Sequence, residues 1–186
     1  MTHSLNTRLP DPRLRNPLVF PNGTPDPATV FLSEVIQHPN INVGDWTYYN
    51  DQTLPDNYAA TLAPYLFEGA PERLSIGRFC QIAQGVQFIT ATANHAMQGI
   101  STFPFAIFDP KRLPTYRASL PRGRDTVVGH DSWIGREAVL LPGAELGCGA
   151  KILQLLDIAW WDWDKDKIEA HLHLIEASDA SALANV

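Results

Sequence analysis

The chain has 186 residues, of which 45% are hydrophobic, and it carries a formal net charge of −6. A chain of this length and composition can bury one compact core, so we expect residues 1–186 to form a single domain. The negative charge provides no electrostatic footprint for nucleic acid. The sequence has no apolar run of about 18 residues and no charged-then-apolar leader, which argues against a membrane span and a secretory signal. We therefore expect a cytoplasmic protein.

The N-terminal segment, residues 1–40, is rich in proline and shows little periodicity. Proline has a fixed backbone angle and no N–H donor, so this segment is predicted to be an extended arm rather than a helix. An extended N-terminal arm of this kind commonly wraps another surface.

A short helix is expected around residues 57–63, in a stretch with prolines and a glycine on either side.

A six-residue repeat runs through residues 41–152 in three blocks, and it is clearest after residue 127. There, five aliphatic residues recur at a constant spacing: Val128, Ile134, Leu140, Leu146 and Ile152. Glycine follows most of them, and a small residue lies four positions after each of the first four: Ser132, Ala138, Ala144 and Ala150. Hexapeptide repeats of this kind are typical of an all-β fold, the left-handed parallel β-helix. The aliphatic side chains should fill its interior, and the glycines should relieve strain at its corners.

Two segments are predicted to depart from this repeat. Residues 89–126 interrupt it as a long excursion loop, and loops of that size on a rigid scaffold are commonly functional. Residues 153–186 form a helical cap and tail, because apolar residues there follow helical spacing and Asp164 can cap the second helix. These helices are expected to close the open end of the coil stack, which would otherwise expose unpaired strands.

The excursion loop contains a candidate general base, His95. Phe103 and Phe105 follow it and could exclude water, so that the imidazole pKa stays near the working pH. A lone histidine is also a common surface or core residue, and its position by itself leaves a structural role open.

Six segments with characteristic residues occur in a fixed order: Ile-Gly-Arg-Phe-Cys-Gln-Ile at 76–82, Ala-Asn-His-Ala-Met at 93–97, Thr-Phe-Pro-Phe at 102–105, Asp-Thr-Val-Val-Gly at 125–129, Trp-Ile-Gly at 133–135 and Trp-Trp-Asp-Trp at 160–163. Together they resemble the xenobiotic O-acetyltransferases. This hexapeptide-repeat family includes streptogramin A (virginiamycin) acetyltransferases and the chloramphenicol acetyltransferases that are unrelated to the classical type. The resemblance covers about residues 40–175.

The resemblance implies a homotrimer with its active site in the cleft between subunits and acetyl-CoA along the outside of the coils. It makes His95 the general base of a direct transfer to an acceptor hydroxyl, without an acetyl-enzyme. It also implies that Tyr48, Asn94 and Trp133 contact the acceptor, and that Trp133 and Gly135 contact the cofactor. Packing at the subunit interface is the alternative role for Tyr48 and Trp133.

The chain departs from the family pattern at two places. Gln98 stands where the family commonly has an acidic residue, three positions after the histidine, and it cannot carry the charge that would favour imidazolium. After Ala150 the repeat passes almost directly into the C-terminal helices, so that roughly 35 residues, or about two coils, are missing relative to the family. Those coils carry much of the family's contact with CoA.

Two other functions are compatible with the pattern. One is a non-catalytic or degenerate trimeric β-helix that has lost CoA binding. The other is a metal-dependent hydratase, which needs several histidines around one zinc ion. Because the coil block offers only His130 in addition to His95, we expect no metal site. The leading prediction is an acetyl-CoA-dependent O-acetyltransferase that acts on an antibiotic or a similar small hydrophobic molecule, whose identity the sequence leaves open.

Overall fold

The computed structural model describes residues 8–96, 100–120, 123–148, 158–176 and 180–186. Ten short strands dominate these residues. They are β1 (Thr29–Phe31), β2 (Ile41–Val43), β3 (Tyr48–Asn50), β4 (Leu74–Ile76), β5 (Gln81–Ala83), β6 (Gln87–Phe88), β7 (Thr126–Val128), β8 (Trp133–Ile134), β9 (Val139–Leu140) and β10 (Glu145–Leu146).

The helices are few and short. The α-helices are α1 (Tyr58–Leu62), α2 (Leu113–Ser119), α3 (Lys165–Glu176) and α4 (Ala180–Leu183), and the 3-10 helices are Leu32–Glu34, Ala91–Ala93, Phe105–Phe108 and Trp160–Asp162. Within the described ranges, no helix combines the length and the apolar character that crossing a membrane requires.

The strands form three sheets that the chain enters in rotation. The first sheet has the order β10-β7-β4-β2, the second β1-β3-β5-β8, and the third β6-β9. Strands β4, β5 and β6 enter the three sheets in turn, and β7, β8 and β9 pair with them in parallel, one coil further on. The exception is β1, which pairs with β3 in antiparallel fashion. The prediction of an all-β fold with parallel strands is confirmed.

The interior is filled by the residues that recur every six positions. Ile76 lies opposite Val128 in the first sheet, and Phe88 lies opposite Leu140 in the third. All four are buried, whereas Leu146, in the strand at the edge of the first sheet, is 38% exposed. Each fully buried aliphatic or aromatic side chain contributes on the order of 1.5–3 kcal/mol to folding.

The glycines that follow the aliphatic positions have a different role from the one expected. The left-handed corner of each hexad lies three residues after the aliphatic residue and is adopted by Phe79, Asp131 and Glu137, with φ between 54° and 60°. Gly77 instead permits close approach, because a Cβ built there would lie 2.7 Å from the backbone nitrogen of His130 in the next coil. Gly129 meets the next coil in the same way. The expectation that these glycines relieve corner strain is therefore wrong.

The segments outside the repeat follow the sequence pattern in part. Residues 8–28 of the arm contain no helix, but they are not extended throughout: Val19 and Pro25 form an isolated antiparallel bridge, and the amide of Phe20 donates a 2.8 Å hydrogen bond to the carbonyl of Thr24. Asn57 caps helix α1 by accepting a hydrogen bond from the backbone of Ala60 at 3.0 Å. Asp164 caps α3 through a 2.8 Å bond from the amide of Lys167, as expected. Residues 153–157 lie outside the described residues.

The 3-10 helix Trp160–Asp162 packs its indole rings against one edge of the coils. The Trp160 ring lies 4.8 Å from that of Phe79, and Trp161 stacks on His130 at 5.3 Å. Phe79 and His130 belong to successive coils, so this contact runs along the stack. The expectation that the C-terminal helices close the end of the stack stays a prediction.

We expect Gly77→Ala to lower the free energy of unfolding by about 1–3 kcal/mol, because its Cβ overlaps the neighbouring backbone. Gly135→Ala is the matched control, since nothing lies within 4 Å of a Cβ at that position. Chemical denaturation of both variants measures the difference. Equal stability of the two would contradict the close-approach role.

Candidate active site

A groove of about 260 Å³ lies on the outer face of the second sheet. In a strand, successive side chains point to opposite faces, so Tyr49, Ile82 and Ile134 point inward while their neighbours point outward. The outward residues Tyr48, Gln81 and Trp133 are in register across β3, β5 and β8. The groove is lined by Tyr48, Asn50, Gln52, Gln81, Ile82, Ala83, Gln84, Trp133 and Arg136.

The groove combines an aromatic surface with neutral hydrogen-bonding groups. The Trp133 side chain is 77% exposed, which is unusual for so large an apolar group. Arg136 is the positively charged residue among those that line the groove. Its Nε lies 3.5 Å from a carboxylate oxygen of Glu137, and both side chains are exposed. Such a wall can pack against a flat apolar group and donate hydrogen bonds to carbonyl or phosphate oxygens.

His95 lies on the excursion loop, two residues after the end of the 3-10 helix Ala91–Ala93, and it is exposed. Its Nδ1 is 3.0 Å from the backbone carbonyl oxygen of Thr102. A carbonyl can only accept a hydrogen bond, so in this arrangement Nδ1 carries the proton. The Nε2 atom of a neutral imidazole then holds the lone pair, which is the state that a general base requires.

Three aromatic residues follow His95 and form a small cluster. Phe103 lies 4.7 Å from Phe105 and 5.6 Å from Phe108, measured between ring centroids. Each of the three is more than half exposed. A cluster of this size can exclude water from a neighbouring imidazole only when a further surface covers it.

The structure brings together some of the residues predicted from the sequence. Tyr48 and Trp133 share the groove, whereas His95 and Asn94 belong to the excursion and are not among the residues that line it. Gly135 lies beside the groove and faces open space. Gln98, Ala150 and Lys151 lie outside the described residues.

Sequence reasoning missed the amide residues of the groove, which are Asn50, Gln52, Gln81 and Gln84. Gln81 could have been found from strand alternation, since it precedes the inward-facing Ile82 as Trp133 precedes Ile134. Its place between Tyr48 and Trp133 depends on the register of three strands that are distant in the chain.

His130 has a structural environment. Its Nδ1 accepts a 3.0 Å hydrogen bond from the amide of Arg78, and its ring stacks on Trp161. Over the parts of the chain that the structure describes, no three His, Cys, Asp or Glu residues group closely enough to hold a metal ion. Cys80 and Cys148 are free thiols, and Cys80 is buried in the small position of its hexad.

Comparisons with known proteins identify the family. No protein-family model matches the chain. The chain is 30% identical to a chloramphenicol acetyltransferase of Agrobacterium fabrum, over 83% of this chain and 90% of that enzyme. It is 34% identical to a probable macrolide acetyltransferase of Lysinibacillus sphaericus, over 59% of this chain and 80% of that protein. A virginiamycin A acetyltransferase of Staphylococcus aureus is 40% identical over 42% of this chain and 34% of that enzyme. The chain belongs to this family of antibiotic acetyltransferases.

The chain is shorter than its relatives within the matched region. The alignment with the Agrobacterium enzyme is 192 positions long but takes up 83% of the 186 residues here, or about 154 residues. The difference, 192 less 154, is about 38 positions that have no counterpart in this chain. That number agrees with the roughly 35 residues, about two coils, that the family pattern predicts to be missing after Ala150.

The environment of His130 predicts a pH-dependent stability. Burial lowers the pKa of His130 below its usual 6.5, and nearby Arg78 lowers it further while Asp162 opposes the shift. Because the unfolded chain then binds a proton more readily than the folded chain, the free energy of unfolding should be largest above pH 6.5 and fall as the pH drops below it.

Urea unfolding of the natural chain and of His130→Gln, at about pH 7.5 and about pH 5.5, measures this contribution. The natural chain should lose more stability between the two values than the variant does. An equal loss in both proteins would assign the pH dependence to other groups.

Proposed function

We propose that this protein is an acetyl-CoA-dependent O-acetyltransferase that modifies a hydroxyl group of an antibiotic or a similar small hydrophobic molecule in the cytoplasm. The observation that carries this proposal is the membership of the chain in a family whose curated members are named for acetyl transfer to chloramphenicol, macrolides and virginiamycin A. The exposed aromatic and amide wall of the groove suits an acceptor of that kind.

The scaffold that we propose is a left-handed β-helix of hexapeptide repeats, forming one domain with the N-terminal arm and the C-terminal helices. The rotation of strands through three sheets, parallel except for β1, supports it, as do the buried residues at intervals of six. The left-handed backbone at Phe79, Asp131 and Glu137 supplies the sharp corners that a triangular coil requires.

His95 acts as the general base in this proposal. Its Nδ1–H is held by the carbonyl of Thr102, which leaves Nε2 to accept the proton from the acceptor hydroxyl as that oxygen attacks the thioester carbon. The thiolate of CoA leaves as the new ester forms, and a backbone amide stabilises the oxyanion. The transfer is direct, so no covalent acetyl-enzyme forms.

Tyr48, Asn94 and Trp133 contact the acceptor, and Trp133 and Gly135 contact the cofactor. Support for the cofactor site comes from the open face of Gly135, where a ligand can approach the backbone, and from the cation of Arg136 beside it. CoA carries phosphates and needs donors of this kind. Arg136 is exposed and already paired with Glu137, so these residues fit the cofactor only in part.

The complete site is composite and requires a homotrimer. Tyr48 and Trp133 line a groove that does not include His95, and the aromatic cluster beside His95 is exposed in the single chain. Both facts are explained if the excursion of one subunit covers the groove of its neighbour. Cyclic symmetry then repeats the same site three times.

We expect His95→Ala to lower kcat by about 10² to 10⁴, the usual contribution of a positioned general base. His173→Ala, which changes an exposed histidine in helix α3, is the control and should retain full activity. Acetylation of the acceptor and the melting temperature are measured together, because loss through unfolding would not support the role. Near-normal transfer by folded His95→Ala would exclude His95 as the base.

Mixing the His95→Ala and Trp133→Ala chains extends this test to the composite site. Each homotrimer alone should be inactive, whereas a mixed trimer contains one cleft with both natural residues. Activity should therefore return on coexpression or on joint refolding. Failure to regain activity in mixed trimers of verified composition would mean that the two residues do not belong to sites shared between subunits.

The second candidate is a degenerate trimeric β-helix without catalytic activity. The observation that favours it is the lack of about 38 positions present in the relative, because two coils of that length would carry much of the CoA contact. The proposed enzyme and the degenerate form differ in whether acetyl-CoA binds.

We expect weak acetyl-CoA binding by the chain as it stands, with a small rise in melting temperature at millimolar ligand. Intact-mass spectrometry first verifies a mass of 20.6 kDa. Calorimetric titration then gives the affinity, and Arg136→Gln serves as the variant that removes the cation of the groove. Binding at low micromolar concentration would contradict the claim that the missing coils supply most of the affinity.

A further inference from the structure

One buried carboxyl group connects the base of the excursion loop to the coil. Glu72 precedes strand β4 and is 3% exposed, although glutamate is rarely buried unless its oxygens have partners. Its Oε1 accepts a hydrogen bond of 3.3 Å from the backbone amide of Thr92. Thr92 lies at the start of the excursion, three residues before His95.

Glu72 and its neighbour Arg73 also contact the end of the excursion. A Cβ built on Gly123 would lie 2.5 Å from Oε2 of Glu72, so the glycine backbone packs directly against the carboxylate. The Arg73 amide donates a 2.8 Å hydrogen bond to Oδ1 of Asp125, and the Arg73 carbonyl accepts one of 2.9 Å from the amide of Thr126. Both ends of the excursion are therefore held by residues 72 and 73.

Only residues 93 and 94 separate Thr92, the partner of Glu72, from His95, and hydrogen bonds hold this turn together. Thr92 also bonds through its hydroxyl to the carbonyl of Tyr65, and the 3-10 helix Ala91–Ala93 is closed by a 2.9 Å bond from the Asn94 amide to the Ala91 carbonyl. His95 follows immediately. A displacement of Thr92 would consequently be transmitted to the imidazole with little intervening chain to absorb it.

We propose that Glu72 is a positioning residue of the acetyl-transfer reaction, which holds the Thr92 turn so that the His95 imidazole is presented in one orientation. The inference rests on the proposed role of His95 as the base. A shift of a catalytic group by about 1 Å can lower the rate by about 10²-fold, so a contact remote from the reacting atoms can matter to this extent.

The test compares Glu72→Gln with Glu72→Met. The two side chains are close in length, but only the glutamine carbonyl can still accept the Thr92 hydrogen bond. Glu72→Gln should retain kcat within about threefold, and Glu72→Met should lose about 10- to 100-fold in kcat with unchanged KM for both substrates. Hydrogen exchange at the amides of residues 92–95 should accelerate in Glu72→Met alone.

A second variant approaches the same contact from the other side, in case Glu72→Met does not fold. Gly123→Ala forces a methyl group against the carboxylate and, at the same distance of 2.5 Å, against the Cβ of Ala91 in the Thr92 turn, and it should lower kcat in the same way. If either folded variant has the kcat and the exchange rates of the unsubstituted protein, the proposal is wrong. It is also wrong if kcat falls only in proportion to a loss of melting temperature.

The His95→Ala protein, assayed beside these variants, separates the two hypotheses. If His95→Ala is inactive while folded Glu72→Met is fully active, the positioning role of Glu72 is wrong and the role of His95 stands. If His95→Ala is fully active, the proposed function of His95 is wrong, and the positioning role fails with it. Faster exchange in Glu72→Met would then identify a purely structural contact.

Discussion

The close approach of successive coils at the glycines that directly follow β2, β4 and β7 is the constraint on which the rest of the structure depends. Gly44, Gly77 and Gly129 lie where a Cβ would overlap the backbone of the next coil, at distances of 2.7–2.8 Å. This approach lets the strands pair in parallel without a shift in register. The register in turn aligns the inward apolar residues into a core and the outward residues into continuous rows, one of which forms the groove.

The corners also provide the surface on which the C-terminal segment packs. Trp46 and Phe79 occupy left-handed corner positions, and their rings stack at 5.0 Å with the Arg78 guanidinium above them. Trp160 continues this stack from the C-terminal side. A large residue at a strained corner is costly unless its side chain is buried against others. The stacked rings of Trp46, Phe79 and Trp160 therefore both stabilise the coils and anchor the C-terminal segment.

The site was predictable to the extent that local residues define it. The position of His95 on a loop leaving the coil, and the outward direction of Trp133, follow from the repeat and from strand alternation. The protonation of His95 on Nδ1 could not be predicted, because it depends on the carbonyl of Thr102 after the loop has folded. Neither could the burial of Glu72, since its partners at Thr92 and Gly123 are far away in the chain.

The sequence by itself determined the period of the fold and the composition of its interior, because a six-residue repeat of aliphatic and small residues permits few other ways of burying its apolar face. It also determined the caps of α1 and α3, which need only a side chain and a nearby amide. Three features follow from the tertiary structure alone. They are the need for glycine at position 77, the surface on which the C-terminal helices pack, and the set of outward residues that meet in the groove. These features depend on contacts between coils, and distances between coils are set by backbone hydrogen bonds that every residue type except proline makes alike.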